Sequence, residues 1–128
     1  MNIPADLRYT ENDEWIRIEG KVGTIGITDY AQEQLSDIVF VEILVAVGET
    51  TGQGDSCATV ESVKAAADIY MPVSGKIIAV NEDLPSTPEV INKDAYGAAW
   101  MVKVELTAPA ELDRLLNAAA YQAKTTKE

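Results

Sequence analysis

The chemistry open to this chain is bounded first by what it lacks. Its 128 residues include no histidine and one cysteine, Cys57. A Cys/His zinc site and a Ser-His-Asp or Cys-His nucleophilic pair are therefore out of reach of a single chain. Of the carboxylates, Asp13, Glu14, Glu61 and Asp68 are candidates, but their spacing marks no general acid/base pair, and a solvated face is the simpler reading. Gly48, Gly52 and Gly54 lack the following Lys-Ser/Thr of a phosphate loop. Nothing cationic adjoins Cys57 to activate its thiol, and it is expected as a small buried hydrophobe. The informative residue is Lys64, the only basic residue between Lys21 and Lys76, set among Ser62, Val63, Ala65, Ala66 and Ala67. Neighbours of low bulk leave its amine open to a modifying enzyme. Lysines of no special function are far commoner, so this segment alone decides nothing.

These residues must be positioned by the elements around them. Trp15 to Ile18 and Val22 to Ile27 read as a hairpin with a turn at Glu19-Gly20. Thr28 caps a short helix near 28–35, with Asp29 in its first turn. Asp37 through Val47 predicts a long strand or bent strand pair, and 48–55 a turn-rich loop. Val60 to Asp68 is ambiguous: its alanine run and apolar spacing suit a helix by propensity. Pro72 and Gly75 bracket a turn, Lys76 to Val80 reads as a strand, and Asn81 to Asn92 as a loop with a short helical turn. Trp100 to Leu106 alternates as a strand. Pro109, with Leu112, Leu115 and Leu116 on one face, predicts a C-terminal helix over about 108–124, weakly capped by Ala108. The polar tail Lys124 to Glu128 is expected to fray. Many short strands, no linker and no repeat predict one mainly β domain of sandwich or barrel type spanning 1–128.

Composition narrows the partners. An apolar fraction of 47% supports a core without disulfide or metal staples. A formal net charge of −11 repels nucleic acid and anionic membranes, and steers the chain toward basic patches on proteins. No targeting segment opens the sequence and no apolar run approaches membrane-spanning length. With one unpaired cysteine, a cytoplasmic location is expected.

In order along the chain, several segments resemble one known family. They are Arg8-Tyr9-Thr10 with Glu14-Trp15, Ile25-Gly26-Ile27-Thr28-Asp29-Tyr30-Ala31-Gln32, Asp37-Ile38-Val39-Phe40-Val41-Glu42 and Val60-Glu61-Ser62-Val63-Lys64-Ala65. Pro72-Val73-Ser74-Gly75, Asn81-Glu82, Tyr96-Gly97 with Trp100, and Glu111-Leu112 follow. Together they resemble the H-protein family of the glycine cleavage system, the lipoyl carriers of that system. The resemblance implies a flattened β-sandwich of the lipoyl/biotinyl-domain type, a barrel-sandwich hybrid, with helices added around it. It also implies that Ala65 to Ala67 belong to a tight hairpin with Lys64 at its tip.

By the same resemblance, Lys64 holds lipoate in amide linkage, attached by a lipoate ligase or lipoyl transferase. The arm, roughly 14 Å long from covalent bond lengths, visits three enzymes. Glycine decarboxylase (P protein) releases CO₂ and loads an aminomethyl group, the aminomethyltransferase (T protein) passes the one-carbon unit to tetrahydrofolate and frees ammonia, and dihydrolipoamide dehydrogenase (L protein) reoxidises the dithiol. The chain itself is then a non-catalytic carrier, expected as a monomer. Glu14 and Asp68 match a cleft that shelters the loaded arm. Two positions depart from the family pattern: Asp13 stands where His usually precedes Glu-Trp, and Ala99 where Gly usually precedes Trp100. Asp13 adds negative charge beside that cleft. Competing readings are an H-like protein carrying lipoate for other enzymes, an unmodified protein-interaction domain, and a biotin carrier. The last usually flanks its lysine with methionines, where this chain has Val63 and Ala65.

Overall fold

The computed structural model describes residues 2–126. Among the described residues, nine strands form two antiparallel sheets. The larger takes the order β1-β2-β3-β9-β8-β5, from β1 (Arg8–Tyr9), β2 (Glu14–Glu19), β3 (Val22–Ile27), β9 (Val102–Leu106), β8 (Gly75–Val80) and β5 (Thr50–Thr51). The smaller is β4-β6-β7, from β4 (Ile38–Ile43), β6 (Ser56–Ser62) and β7 (Ala66–Tyr70). Alternation along the strands sends Ile25, Val41, Val60, Ile69, Ile77 and Val104 into one buried cluster. The expected mainly β sandwich is what the chain forms.

The turn between β2 and β3 is one residue later than expected. Glu19 pairs with Val22, leaving Gly20-Lys21 as a two-residue loop, and Gly20 takes the left-handed φ of 65° that such loops require. Thr28 caps helix α1 (Asp29–Leu35) as predicted, its side chain accepting from the Ala31 N–H. The strand expected to reach Val47 stops at Ile43, after a register shift between Ile38 and Phe40. The loop at 48–55 carries the two-residue β5, which adds to the edge of β8. The loop after β8 holds a 3-10 helix at Leu84–Ser86 and helix α2 (Val90–Lys93).

The single C-terminal helix expected over 108–124 is instead two pieces. A 3-10 helix at Pro109–Arg114, starting from an uncapped Ala108, gives way to extended chain, and helix α3 follows at Ala118–Thr126. Leu116 explains the break. Its N–H and C=O bond with Tyr9 at 2.8 Å each way, pairing the edge of β1, which a continuous helix would leave unpaired. Asn117 then restarts the helix, its side chain accepting from the Ala120 N–H at 2.8 Å. Of the tail expected to fray, Lys124 to Thr126 is helical, and Lys127 and Glu128 lie outside the described residues.

A second buried cluster holds Leu7, Tyr9, Trp15 and Tyr121 together. Tyr9 and Tyr121 stack with ring centroids 4.6 Å apart. Gly26 makes room for Trp15 opposite it, because a Cβ there would come within 2.8 Å of the indole ring. The Trp15 Nε1–H donates to the Ala95 carbonyl at 3.0 Å. This cluster ties the start of the chain to α3 and supports the segment that carries Glu14.

Candidate functional site

The ambiguous segment at 60–68 is a hairpin. Strands β6 and β7 pair from Glu61↔Ala66 back to Ser56↔Tyr70, so backbone pairing overrides the helical propensity of the alanines. The connection, Ser62-Val63-Lys64-Ala65, is fastened by its first residue. The Ser62 N–H donates to the Ala65 carbonyl at 2.7 Å, and its hydroxyl oxygen accepts from the N–H groups of Lys64 at 3.2 Å and Ala65 at 3.0 Å. The Val63 N–H donates to the Asp37 carbonyl at 3.1 Å, tying the tip to the start of β4. Lys64 stands exposed on this tip, beside Val63, which is 67% exposed. The turn therefore fixes the lysine backbone while leaving its amine in solvent.

Along the base of the hairpin lies a cavity of about 370 Å³, whose lining includes Tyr9, Thr10, Asn12, Glu14, Tyr70 and Arg114. Glu14 is 1% exposed. Its Oε1 accepts from the Thr10 hydroxyl at 2.6 Å and its Oε2 from the Tyr70 N–H at 3.2 Å. Burial raises the Glu14 pKa, the Thr10 and Tyr70 hydrogen bonds oppose that rise, and the neighbouring Asp13 charge adds to it. Arg114 is brought to the cavity by the 3-10 helix, which Glu111 anchors. The Glu111 carboxylate accepts from the Ser74 N–H at 2.6 Å and the Ser74 hydroxyl at 2.7 Å. Cys57 is buried as expected, and burial pushes its thiol up to about 12.

Asp68 is exposed on β7 and lines a neighbouring cavity of about 170 Å³ with Asn12, Asp13, Ala31 and Leu35. Glu14 and Asp68 thus border two adjoining cavities that share Asn12. Thr10, Asn12, Tyr70 and Arg114 carry no motif by which the sequence alone marks them as site residues. A hydroxyl four residues before a carboxylate was the one available signal, and its meaning depends on a fold that buries Glu14.

Asp13, which lines the Asp68 cavity, is at the same time held by the C-terminal helix. In a left-handed conformation, φ 68°, it accepts from the Tyr121 hydroxyl at 2.9 Å and stands 3.6 Å from the Lys124 ammonium. The same Tyr121 oxygen lies 2.7 Å from the Thr28 hydroxyl. The departure at Asp13 is therefore absorbed into a contact between α3 and the start of α1. Ala99 is packed at 1% exposure, and its N–H donates to the Asp94 carbonyl at 3.1 Å.

The sequence model of a family described as Glycine cleavage H-protein matches residues 7–128 of this chain. The chain belongs to that family. Among similar proteins, a glycine cleavage system H protein from Koribacter versatilis is 57% identical over 128 residues, covering 100% of this chain and 98% of the relative. One from Symbiobacterium thermophilum is 55% identical over 124 residues, covering 97% and 96%. The crystal structure of a glycine cleavage system H protein from Mycobacterium marinum matches with a TM-score of 0.88 at 40% identity, over 97% of this chain and 99% of that one. The two-sheet architecture of this H-protein family member is accordingly that of its relatives. Among the described residues, no group of three or more His, Cys, Asp or Glu side chains could hold a metal ion, and no helix is long and apolar enough to cross a membrane.

Proposed function

We propose that this chain is the lipoyl carrier of a glycine cleavage system, with lipoate in amide linkage on the Nζ of Lys64. The observation that carries this reading is an exposed lysine on a hairpin tip whose backbone is tied by Ser62 and Asp37. The tip fits the group. An acylating enzyme needs an accessible amine on a backbone held in one geometry, and Val63 and Ala65 put no charged side chain directly beside it in the chain. When attached, lipoate supplies a dithiolane whose sulfurs take up the aminomethyl group of glycine and are afterwards reoxidised.

The chain's own residues then present and shelter. Acylation removes the Lys64 charge, so the tip approaches partner sites without a buried cation. Asp68 lies four residues along β7 from Lys64, at most about 13 Å away at strand rise, within the roughly 14 Å arm. Tyr70, which holds Glu14, is six residues on, and the extended-strand bound of about 20 Å exceeds the roughly 14 Å arm, so Asp68 is the acceptor the arm meets first and Glu14 is reached only over a span shorter than that bound. Asp68 offers an exposed acceptor to an amine, and Glu14 a desolvated one in which each charge-assisted hydrogen bond is stronger. The partners of this role are glycine decarboxylase, the aminomethyltransferase, dihydrolipoamide dehydrogenase and the ligase or transferase that attaches lipoate.

The test is glycine-dependent loading. Lipoylated wild-type protein incubated with glycine, pyridoxal-phosphate-containing glycine decarboxylase and labelled bicarbonate exchanges label into glycine, and Lys64→Arg, whose guanidinium cannot be acylated, gives no exchange above background. Exchange supported equally by Lys64→Arg would remove Lys64 from the mechanism.

A further inference from the structure

The loop between β1 and β2 assigns a direction to one proton. A threonine hydroxyl has one donor hydrogen and two acceptor lone pairs. The Oγ1 of Thr10 accepts from the Asn12 N–H at 3.2 Å and the Glu14 N–H at 3.1 Å, which occupies both lone pairs. The loop that imposes this is itself closed by backbone bonds from Thr10 N–H to the Glu14 carbonyl at 3.0 Å and from Asp13 N–H to the Thr10 carbonyl at 3.2 Å. The remaining hydroxyl proton points to Glu14 Oε1, 2.6 Å away. The other carboxylate oxygen also faces a donor, the Tyr70 N–H. A carboxyl group with a donor on each oxygen is favoured in its ionised form, against the burial that favours the neutral one.

We propose that Thr10 is the positioning residue of this site, its hydroxyl proton holding the Glu14 carboxylate in one orientation and in the charged form that an ammonium group requires. The proposal rests on the reading of Glu14 as an acceptor for the amine of the loaded arm, and it adds the residue through which that acceptor is kept usable. Thr10 touches no cargo; it acts through Glu14. The charged and titratable groups around Glu14 are Tyr9 and Glu11 from the N-terminal segment, Asp13 beside it, Cys57 from β6, Tyr70 from β7 and Arg114 from the 3-10 helix. Of these, Arg114 alone is cationic, and it is exposed. Among the described residues lining the cavity, no buried cation substitutes for the Thr10 proton in stabilising the carboxylate.

The direct test reads Glu14 in the full, unmodified chain, by following the ¹³C resonance of its side-chain carboxyl against pH in wild type, Thr10→Val and Thr10→Ser. Valine keeps the shape and removes both the proton donor to Glu14 and the acceptor for the Asn12 and Glu14 N–H groups; serine keeps both. The expected result is a titration midpoint moved upward in Thr10→Val and restored to wild type in Thr10→Ser, with backbone amide spectra showing both variants folded. A midpoint unchanged in folded Thr10→Val overturns the proposal, as does a Thr10→Ser midpoint displaced as far as that of valine. Should valine prevent folding, Thr10→Ala carries the same comparison with serine. A second readout separates this proposal from the reading beneath it. Formaldehyde release from glycine-loaded protein is expected to be faster in Glu14→Gln than in wild type. Equal release in those two would overturn the arm-sheltering role of Glu14, whereas the carboxyl titration alone decides what Thr10 does to Glu14.

Discussion

Glu14 pays for its place in the cavity wall with the loss of solvent around a carboxylate. Burial raises its pKa above the ordinary value of about 4.5 despite two hydrogen bonds. The sign of the consequence follows from proton counting. Between the unfolded and folded values the native state binds the extra proton, so stability falls as pH rises through that window and is constant above it. Glu14→Gln has nothing to ionise and lacks this slope. Thermal melts from pH 4 upward are expected to show the difference in Tm, variant minus wild type, moving in the variant's favour as pH rises, then levelling. A pH-independent difference would contradict a raised Glu14. This property could not be read from the sequence, because the Tyr70 N–H that holds the carboxylate lies 56 residues away along the chain. What the sequence did display was Lys64, since steric openness among alanines and a serine is a local matter.

At the scale of elements, local chemistry predicted local structure well and failed where distant pairing competed with it. Thr28 and Asp29 announce α1 because a cap and a first-turn acid act within one turn. Residues 60–68 did not announce a hairpin, because alanine favours helix unless strand β4 and strand β7 both pair with β6, as they do here. Family resemblance supplied what propensity could not. The C-terminal pattern misleads for the opposite reason: Pro109 and three leucines suit one continuous helix, but Leu116 is used to pair with Tyr9. Helix α3 is then fastened by Tyr121, whose hydroxyl bonds Asp13 and lies against Thr28 in the interior. Tyr121→Phe keeps the stack on Tyr9 and removes both polar contacts. It is expected to cost about 1–3 kcal/mol, measured by urea unfolding, while leaving lipoate attachment unchanged. A variant as stable as wild type would show that Asp13 and Tyr121 do not hold α3.

As a whole molecule, the chain combines two sheets that bury one core with a strongly acidic exterior, net charge −11. The sandwich makes the hairpin a rigid support, and the charge governs how partners find it. Attraction of this kind acts on encounter and is screened by salt, with a Debye length of about 10 Å at 0.1 M ionic strength. In the proposed role, the KM of glycine decarboxylase for this chain should rise as salt is raised from about 20 to 200 mM, with kcat little changed; a flat KM would mean that net charge does not guide docking. The carrier role rests on the proposed attachment of lipoate to Lys64. That attachment is read from the intact mass and tryptic map of the protein expressed with lipoate and a lipoate ligase, before and after reduction. One lipoyl increment is expected, confined to the peptide containing Lys64 and gaining two hydrogens on reduction. An unmodified Lys64 under conditions that lipoylate a control domain, or an increment on another lysine, would contradict it.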